Sequence, residues 1–112
     1  FWGLRADERT VAYASSKAGL IMLTKTMAKD HAADGVRVNA VCPGGVDTPM
    51  LARGAEAAEQ PVAKFLETVA SFSPNGRIAT PEEVAGLVLF LASDAAAQIT
   101  GTAIPIDGGL SA

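Results

Sequence analysis

Val36-Arg37-Val38-Asn39-Ala40-Val41-Cys42-Pro43-Gly44-Gly45 is the stretch that decides the fold. Residues 36–42 are rich in β-branched side chains and stop at a Pro-Gly-Gly turn, which predicts a strand running into a tight loop. So apolar a strand suits a parallel sheet buried on both faces, and Cys42 reads as a small packed residue at the strand's end. Upstream, residues 11–33 predict a helix, because Leu20, Ile21, Met22 and Leu23 place apolar groups all round one turn. Such a helix is covered on more than one face. Asp34-Gly35 supplies its stop, since glycine enters the left-handed conformation without a Cβ penalty, and Lys29 lies where the macrodipole favours positive charge. His31 shares that terminal, solvated role and is assigned no chemistry.

Downstream of the deciding stretch, Thr48-Pro49 offers a helix start with Thr48 as N-cap and proline at the first helical position. The helical pattern from there to Phe72 is interrupted by Pro61, which predicts two short helices or a mobile helical flap. Ser73-Pro74-Asn75-Gly76 reads as a turn. Thr80-Pro81-Glu82-Glu83 opens a helix over residues 81–93, with Thr80 capping a backbone N–H and Glu83 reaching back in a capping box. Val84, Leu87, Val88 and Leu91 make one apolar strip on it, and Ala85, Leu89 and Ala92 a second. Residues 102–106 read as a final strand before Asp107-Gly108-Gly109. Pro105 cannot donate to a ladder, which places this strand at a sheet edge. The alternation of helices and strands is that of an α/β protein with a parallel sheet. Two strands are too few for such a sheet, so an N-terminal portion outside these 112 residues is expected.

Composition narrows the function classes. The chain has 9 Lys+Arg against 12 Asp+Glu, a formal net charge of -3, which gives no basic footprint for nucleic acid or an anionic membrane. The single cysteine excludes an intrachain disulfide and a multi-cysteine zinc site, and no metal is expected. The longest apolar run, Leu87 to Ala92, falls far short of the ~20 residues of a membrane helix. A cytoplasmic protein is the expectation.

Tyr13 and Lys17 are one helical turn apart and share a helix face. An ammonium beside a phenol stabilises the phenolate, which suits general acid–base work, although on spacing alone an exposed tyrosine and a solvated lysine is the preferred reading. Pro43-Gly44 lies beyond the carboxyl end of a strand, where open α/β sheets bind ligands, although a Pro-Gly-Gly turn is also a common structural device. Asn39 reads as structural, fixing backbone near that loop.

Tyr13-Ala14-Ser15-Ser16-Lys17-Ala18-Gly19-Leu20, the block from Asp34 through Pro43-Gly44-Gly45-Val46-Asp47-Thr48-Pro49 to Met50, the start Thr80-Pro81-Glu82-Glu83-Val84-Ala85 and the ending Thr100-Gly101 to Asp107-Gly108-Gly109 together resemble the short-chain dehydrogenase/reductase family. The resemblance covers essentially the whole chain. It implies a Rossmann-like doubly wound parallel sheet, with residues 1–112 as the C-terminal part of a single NAD(P)-binding domain. It further implies an oxidoreductase that moves a hydride between the nicotinamide of NAD or NADP and a small carbonyl or secondary alcohol substrate. Tyr13 matches the general acid or base, and Lys17 matches the lysine that binds the nicotinamide ribose and assists the tyrosine. Pro43, Gly44, Val46 and Thr48 match positions that pack against the nicotinamide ring or bind its carboxamide.

Residues 50–72 match the flap that covers substrate in the family. The helices over 11–33 and 81–93 match those through which members form dimers and tetramers, so a homodimer or homotetramer is expected. The family's substrate-orienting serine lies thirteen positions before the tyrosine, which falls one position before Phe1, and Gly3 then matches the glycine of its Ser-x-x-Gly pattern. The Gly-rich phosphate loop, the residue that selects NAD or NADP and the relay asparagine have no counterpart in these residues. A second reading is a truncated, non-catalytic fragment that acts only through protein association.

Overall fold

The computed structural model describes residues 3, 4 and 8–112; Phe1, next to the position that the serine count from Tyr13 reaches, lies outside the described residues. Helix α1 spans Val11–Asp30, strand β1 Ala40–Pro43, helices α2 Pro49–Ala57, α3 Val62–Phe72 and α4 Pro81–Ala92, and strand β2 Ala103–Ile106. The two strands pair in parallel, in the register Ala40 with Ala103 through Pro43 with Ile106. Both α1 and α4 pack against β1. Parallel strands joined by helical crossovers define an α/β architecture.

Helix α1 ends at Asp30, three residues earlier than its sequence pattern suggests. The chain then tightens into a 3-10 turn over Ala32–Asp34, with the His31 ring against the Asp34 carboxylate at 3.3 Å. Gly35 closes that turn at φ 74, so the glycine stop operates after the extra turn. His31 is exposed, in the terminal role assigned to it.

The ladder is also shorter than the apolar run, because residues 36–39 are held by side chains and by loop backbone instead of a strand partner. Val38 donates its N–H to Thr100 Oγ1 at 3.0 Å and accepts the Gly101 N–H at 2.7 Å. Arg37 gathers three carbonyls near the end of α4, those of Leu91, Ser93 and Ile99. Asn39 donates to the Ile99 carbonyl at 2.8 Å and accepts both the N–H and the hydroxyl of Thr102. These bonds fix where β2 begins. Gly101, at φ 71, lets this segment approach α1 closely, since a Cβ there would lie 3.3 Å from the Ala28 Cβ.

Asn39 is therefore structural, as its sequence context suggests. Asn39→Ala strips partners from three half-buried groups and is expected to cost about 2–4 kcal/mol, read as a lower urea midpoint with an unchanged slope.

At the two ends of β2, the carbonyls of Thr102, just before it, and of Ile106 accept the N–H groups of Ala40 and Gly44, so alternation turns position 105 away from β1. Pro105 loses no ladder bond there, and among the described residues β2 pairs with β1 alone. The rod from Thr48 to Phe72 splits at Pro61 into α2 and α3, which pack together where Gly54 meets the Phe65 ring.

The core is made of small groups: Ala28, Cys42, Ala55, Leu91 and Ala96 are buried, with Thr24 and Ser73. The second apolar faces read in α1 and α4 have no cover among the described residues. Leu20, Met22 and Leu23 of α1 are exposed, and Leu89 of α4 is 73% exposed. A self-contained globular chain of this mass would expose about 5,800 Å². This one exposes 7385 Å².

Candidate active site

Tyr13 and Lys17 meet on the first turns of α1, with Lys17 Nζ 5.3 Å from the centre of the Tyr13 ring. Helical geometry produces this, because side chains four residues apart stack on one face. Tyr13 is half exposed, so its ring is open to a ligand. Gly3 lies directly on this turn: a Cβ there would come within 2.7 Å of the Lys17 carbonyl carbon and oxygen. The residue matching the Ser-x-x-Gly glycine is thus itself seated against the backbone of the lysine.

The second group of site residues forms the loop after β1. Gly44 continues the ladder by donating to the Ile106 carbonyl at 3.2 Å, and a Cβ on it would lie 3.0 Å from both Cα and Cβ of Asp107. Gly45 is equally confined, its virtual Cβ falling 2.7 Å from Val69 Cγ1 on α3 and 2.9 Å from Ile78 Cγ2. Val46 forms an isolated parallel bridge with Ala79: the Gly45 carbonyl accepts the Ala79 N–H at 2.8 Å, and the Asp47 N–H reaches the Ala79 carbonyl at 2.9 Å. Strand alternation then turns the N–H and C=O of Val46 away from Ala79, and neither has a hydrogen-bond partner among the described residues. One donor and one acceptor side by side match what a primary carboxamide requires.

Thr48 takes the N-cap position of α2 but its side chain makes no capping bond, which departs from the capping role read in the sequence. Pro49 occupies the first helical position and has no N–H to satisfy, and Leu51 donates instead to the Thr48 carbonyl at 3.0 Å. The hydroxyl is not committed to the helix. At the other end of the chain the Thr80–Glu83 capping box forms as predicted.

Sequence reasoning did not single out Asp107, Ala79 or Arg77 as supports of this loop. The contacts of Asp107 and Ala79 with the loop join positions more than thirty residues apart, which spacing does not report, whereas Arg77 is bonded within six residues, to Ile78 and Glu83. Arg77, six residues before the capping-box Glu83, was the nearest signal.

Asp107 closes the turn under Gly44, accepting the N–H groups of Gly109 at 3.0 Å and Ser111 at 3.1 Å. Burial alone would raise its carboxyl; hydrogen bonds from the Ser111 side chain and from the backbone of Gly109, Ser111 and Leu110 outweigh this and hold it below the ordinary aspartate value. A lowered native value makes the stabilisation complete above the unfolded value, near ~3.9, and lost as pH falls through the native one. Asp107→Asn is therefore expected to flatten the fall of the denaturant midpoint below about pH 4, measured against wild type across an acid series.

A cavity of about 450 Å³ lies behind the loop, lined by Gly45, Asn75, Arg77, Glu83, Asp107 and Gly108 among others, and Tyr13 and Lys17 do not line it. No group of three or more His, Cys, Asp or Glu able to hold a metal exists among the described residues. No helix among them is long and apolar enough to cross a membrane.

A parallel α/β layer, a glycine loop at the carboxyl end of its strand and a Tyr-Lys pair on the preceding helix define a protein of the Rossmann-fold class. The chain belongs to the short-chain dehydrogenase/reductase family: the family model described as enoyl-(acyl carrier protein) reductase matches residues 3–111. It is 47% identical over 108 residues to the 3-oxoacyl-[acyl-carrier-protein] reductase of Thermotoga maritima, covering 96% of this chain and 41% of that protein. Among solved structures it is similar to ligand-free aldohexose dehydrogenase of Thermoplasma acidophilum, with a TM-score of 0.87 and 42% identity over 95% of this chain and 43% of that one. It is also similar to an actinorhodin polyketide ketoreductase determined with NADPH, with a TM-score of 0.89 and 34% identity over 98% of this chain and 44% of that one. The chain spans less than half the length of each of these relatives.

Proposed function

We propose that these residues form the C-terminal part of an NAD(P)-dependent oxidoreductase that interconverts a carbonyl and a secondary alcohol. The observation that carries this reading is the Lys17 ammonium held over the Tyr13 ring on one face of α1. The dinucleotide, when bound, supplies or accepts the hydride. The Tyr13 hydroxyl gives a proton to the substrate oxygen in reduction and takes one back in oxidation. Lys17, together with the positive end of α1, stabilises the negative charge left on the phenolic oxygen, and its ammonium hydrogen-bonds the ribose.

The loop fits the other end of the cofactor. Pro43 and Gly44 offer the nicotinamide ring a flat approach, the outward N–H and C=O of Val46 suit its carboxamide, and the Thr48 hydroxyl is available to the same ligand. Helices α2 and α3 serve as the flap over the substrate, with Pro61 as the break between them.

The exposed apolar faces of α1 and α4 favour burial in an assembly, and a homodimer or homotetramer is the form proposed, in the cytoplasm. The same surface is what a non-catalytic fragment acting through association would use. Titration of the intact protein with NADH and NADPH, followed by assay against ketone and secondary-alcohol panels, separates the two. Micromolar dinucleotide binding with turnover supports the enzyme, and absence of both leaves the association reading.

A further inference from the structure

Residues 77–80 link the turn at 73–76 to α4, and side-chain hydrogen bonds tie Arg77, Ile78 and Thr80 to one another and to Glu83. The Arg77 guanidinium donates to both carboxylate oxygens of Glu83, at 2.8 and 2.6 Å, and to the Ile78 carbonyl at 3.2 Å. The same carboxylate accepts the Thr80 N–H at 2.9 Å, while Thr80 Oγ1 accepts the Glu83 N–H at 3.3 Å. Ile78 and Thr80 are thereby held on either side of Ala79. Ala79 is the residue whose N–H and carbonyl engage Gly45 and Asp47.

We infer that the Arg77–Glu83 pair is a positioning device for the cofactor loop, fixing Ala79 so that the Gly45–Asp47 segment presents the Val46 peptide outward. The inference rests on the reading of that peptide as the carboxamide site. Neither charged residue touches the loop's outward face, so both act through Ala79.

The physical case turns on what an exposed ion pair can do. Both partners are substantially exposed, and such pairs add little to global stability. A two-pronged guanidinium–carboxylate contact nevertheless fixes orientation as well as distance. That is what a connector without helix or strand structure of its own requires if it is to serve as the edge of another loop. Arg77, acting first through its hydrogen bond to Glu83, and the Thr80 N–H draw the glutamate carboxyl down to about 2 against the cost of burial, so the bracket persists through the pH range of ordinary activity.

The test uses Glu83→Gln and Arg77→Ala in the intact protein. Glutamine fills the third helical position of a capping box as glutamate does, so the first variant removes the ion pair and keeps the cap. Hydrogen exchange in peptides spanning 45–48 is expected to quicken about tenfold in both variants while α1 exchanges as in wild type, a readout that needs no cofactor. Dissociation constants for NADH and NADPH should rise about three- to tenfold, the kinetic loss falling on the dinucleotide KM more than on kcat. Wild-type exchange at 45–48, exchange accelerated equally in α1, or a lower melting temperature with unchanged cofactor affinity would each overturn the inference. Wild-type protein that binds neither dinucleotide would overturn the functional reading and this inference with it. Cofactor binding that is normal in wild type and equally normal in both variants overturns the inference alone.

Discussion

Tyr13→Phe in the intact protein is expected to lower turnover by about 10²–10⁴-fold while leaving the dissociation constants for NADH and NADPH within about threefold of wild type. The substitution removes one hydroxyl and nothing else. Tyr13 is half exposed, its ring keeps its place beside Lys17, and the first turn of α1 is held by backbone bonds that the change does not touch, such as Ala14 N–H to the Thr10 carbonyl at 2.7 Å. Stability should stay within ~0.5 kcal/mol, because surface substitutions away from packed or bonded groups rarely do more. The loss is then chemical. Substrate can still bind and the dinucleotide still has its loop, but the substrate oxygen has no proton donor at the moment charge develops on it. Single-turnover rates at saturating cofactor measure this directly. Wild-type turnover in the variant would sink the assignment of Tyr13 as general acid or base.

Gly44→Ala is expected to weaken NADH and NADPH binding by at least about tenfold and to destabilise the protein by about 1–3 kcal/mol. A Cβ at this position would stand 3.0 Å from Cα and Cβ of Asp107, tighter than ordinary side-chain contacts allow. The obstruction is the Asp107 main chain and the Cβ fixed to it, held by the β1–β2 ladder and by the Asp107 turn, so it cannot swing aside as the tip of a long side chain could. The loop must move instead, carrying with it the Gly44 bond to Ile106 and the outward peptide of Val46. Gly35→Ala is the control. Its φ of 74 strains alanine but nothing lies within 4 Å of the added Cβ, so it should lose stability, by about 1 kcal/mol, without losing cofactor affinity. Equal affinities for wild type and Gly44→Ala, measured by calorimetric titration, would show that the loop's close seat on Asp107 does not shape the cofactor site.

The comparison of the two glycines also shows what a sequence can and cannot say about a Pro-Gly-Gly turn. That the chain turns sharply after a strand is written in the residues. That Gly44 has no room because Asp107 lies beneath it depends on a contact with a residue sixty-three positions on. Thr48 makes the same point in reverse. Its place before Pro49 predicts a cap, and the fold puts it at the cap position yet leaves its hydroxyl out of the helix.

Local signals carried the rest of the reading. The capping box at Thr80 and Glu83, the break at Pro61, the turn at residues 73–76 and the shared face of Tyr13 and Lys17 are all interactions within six residues, where backbone geometry leaves few alternatives. The ends of α1 and β1 were less legible. An apolar run marks where a strand is compatible with burial, but the ladder exists only where a partner strand supplies hydrogen bonds, and here β2 meets β1 from Ala40 to Pro43.

The sequence by itself determined the α/β class, the family resemblance, the Tyr13–Lys17 pair and the loop at Pro43-Gly44, because each is encoded in short-range spacing or in a motif. The tertiary structure alone decided that Arg37 and Asn39 lock the start of β2, that Asp107 seats Gly44, and that Ala79, bracketed by Arg77 and Glu83, edges the loop. Apart from the six-residue Arg77–Glu83 bracket itself, those contacts are long-range, and their partners are ordinary residues whose roles arise from the closeness that parallel pairing and helix packing impose.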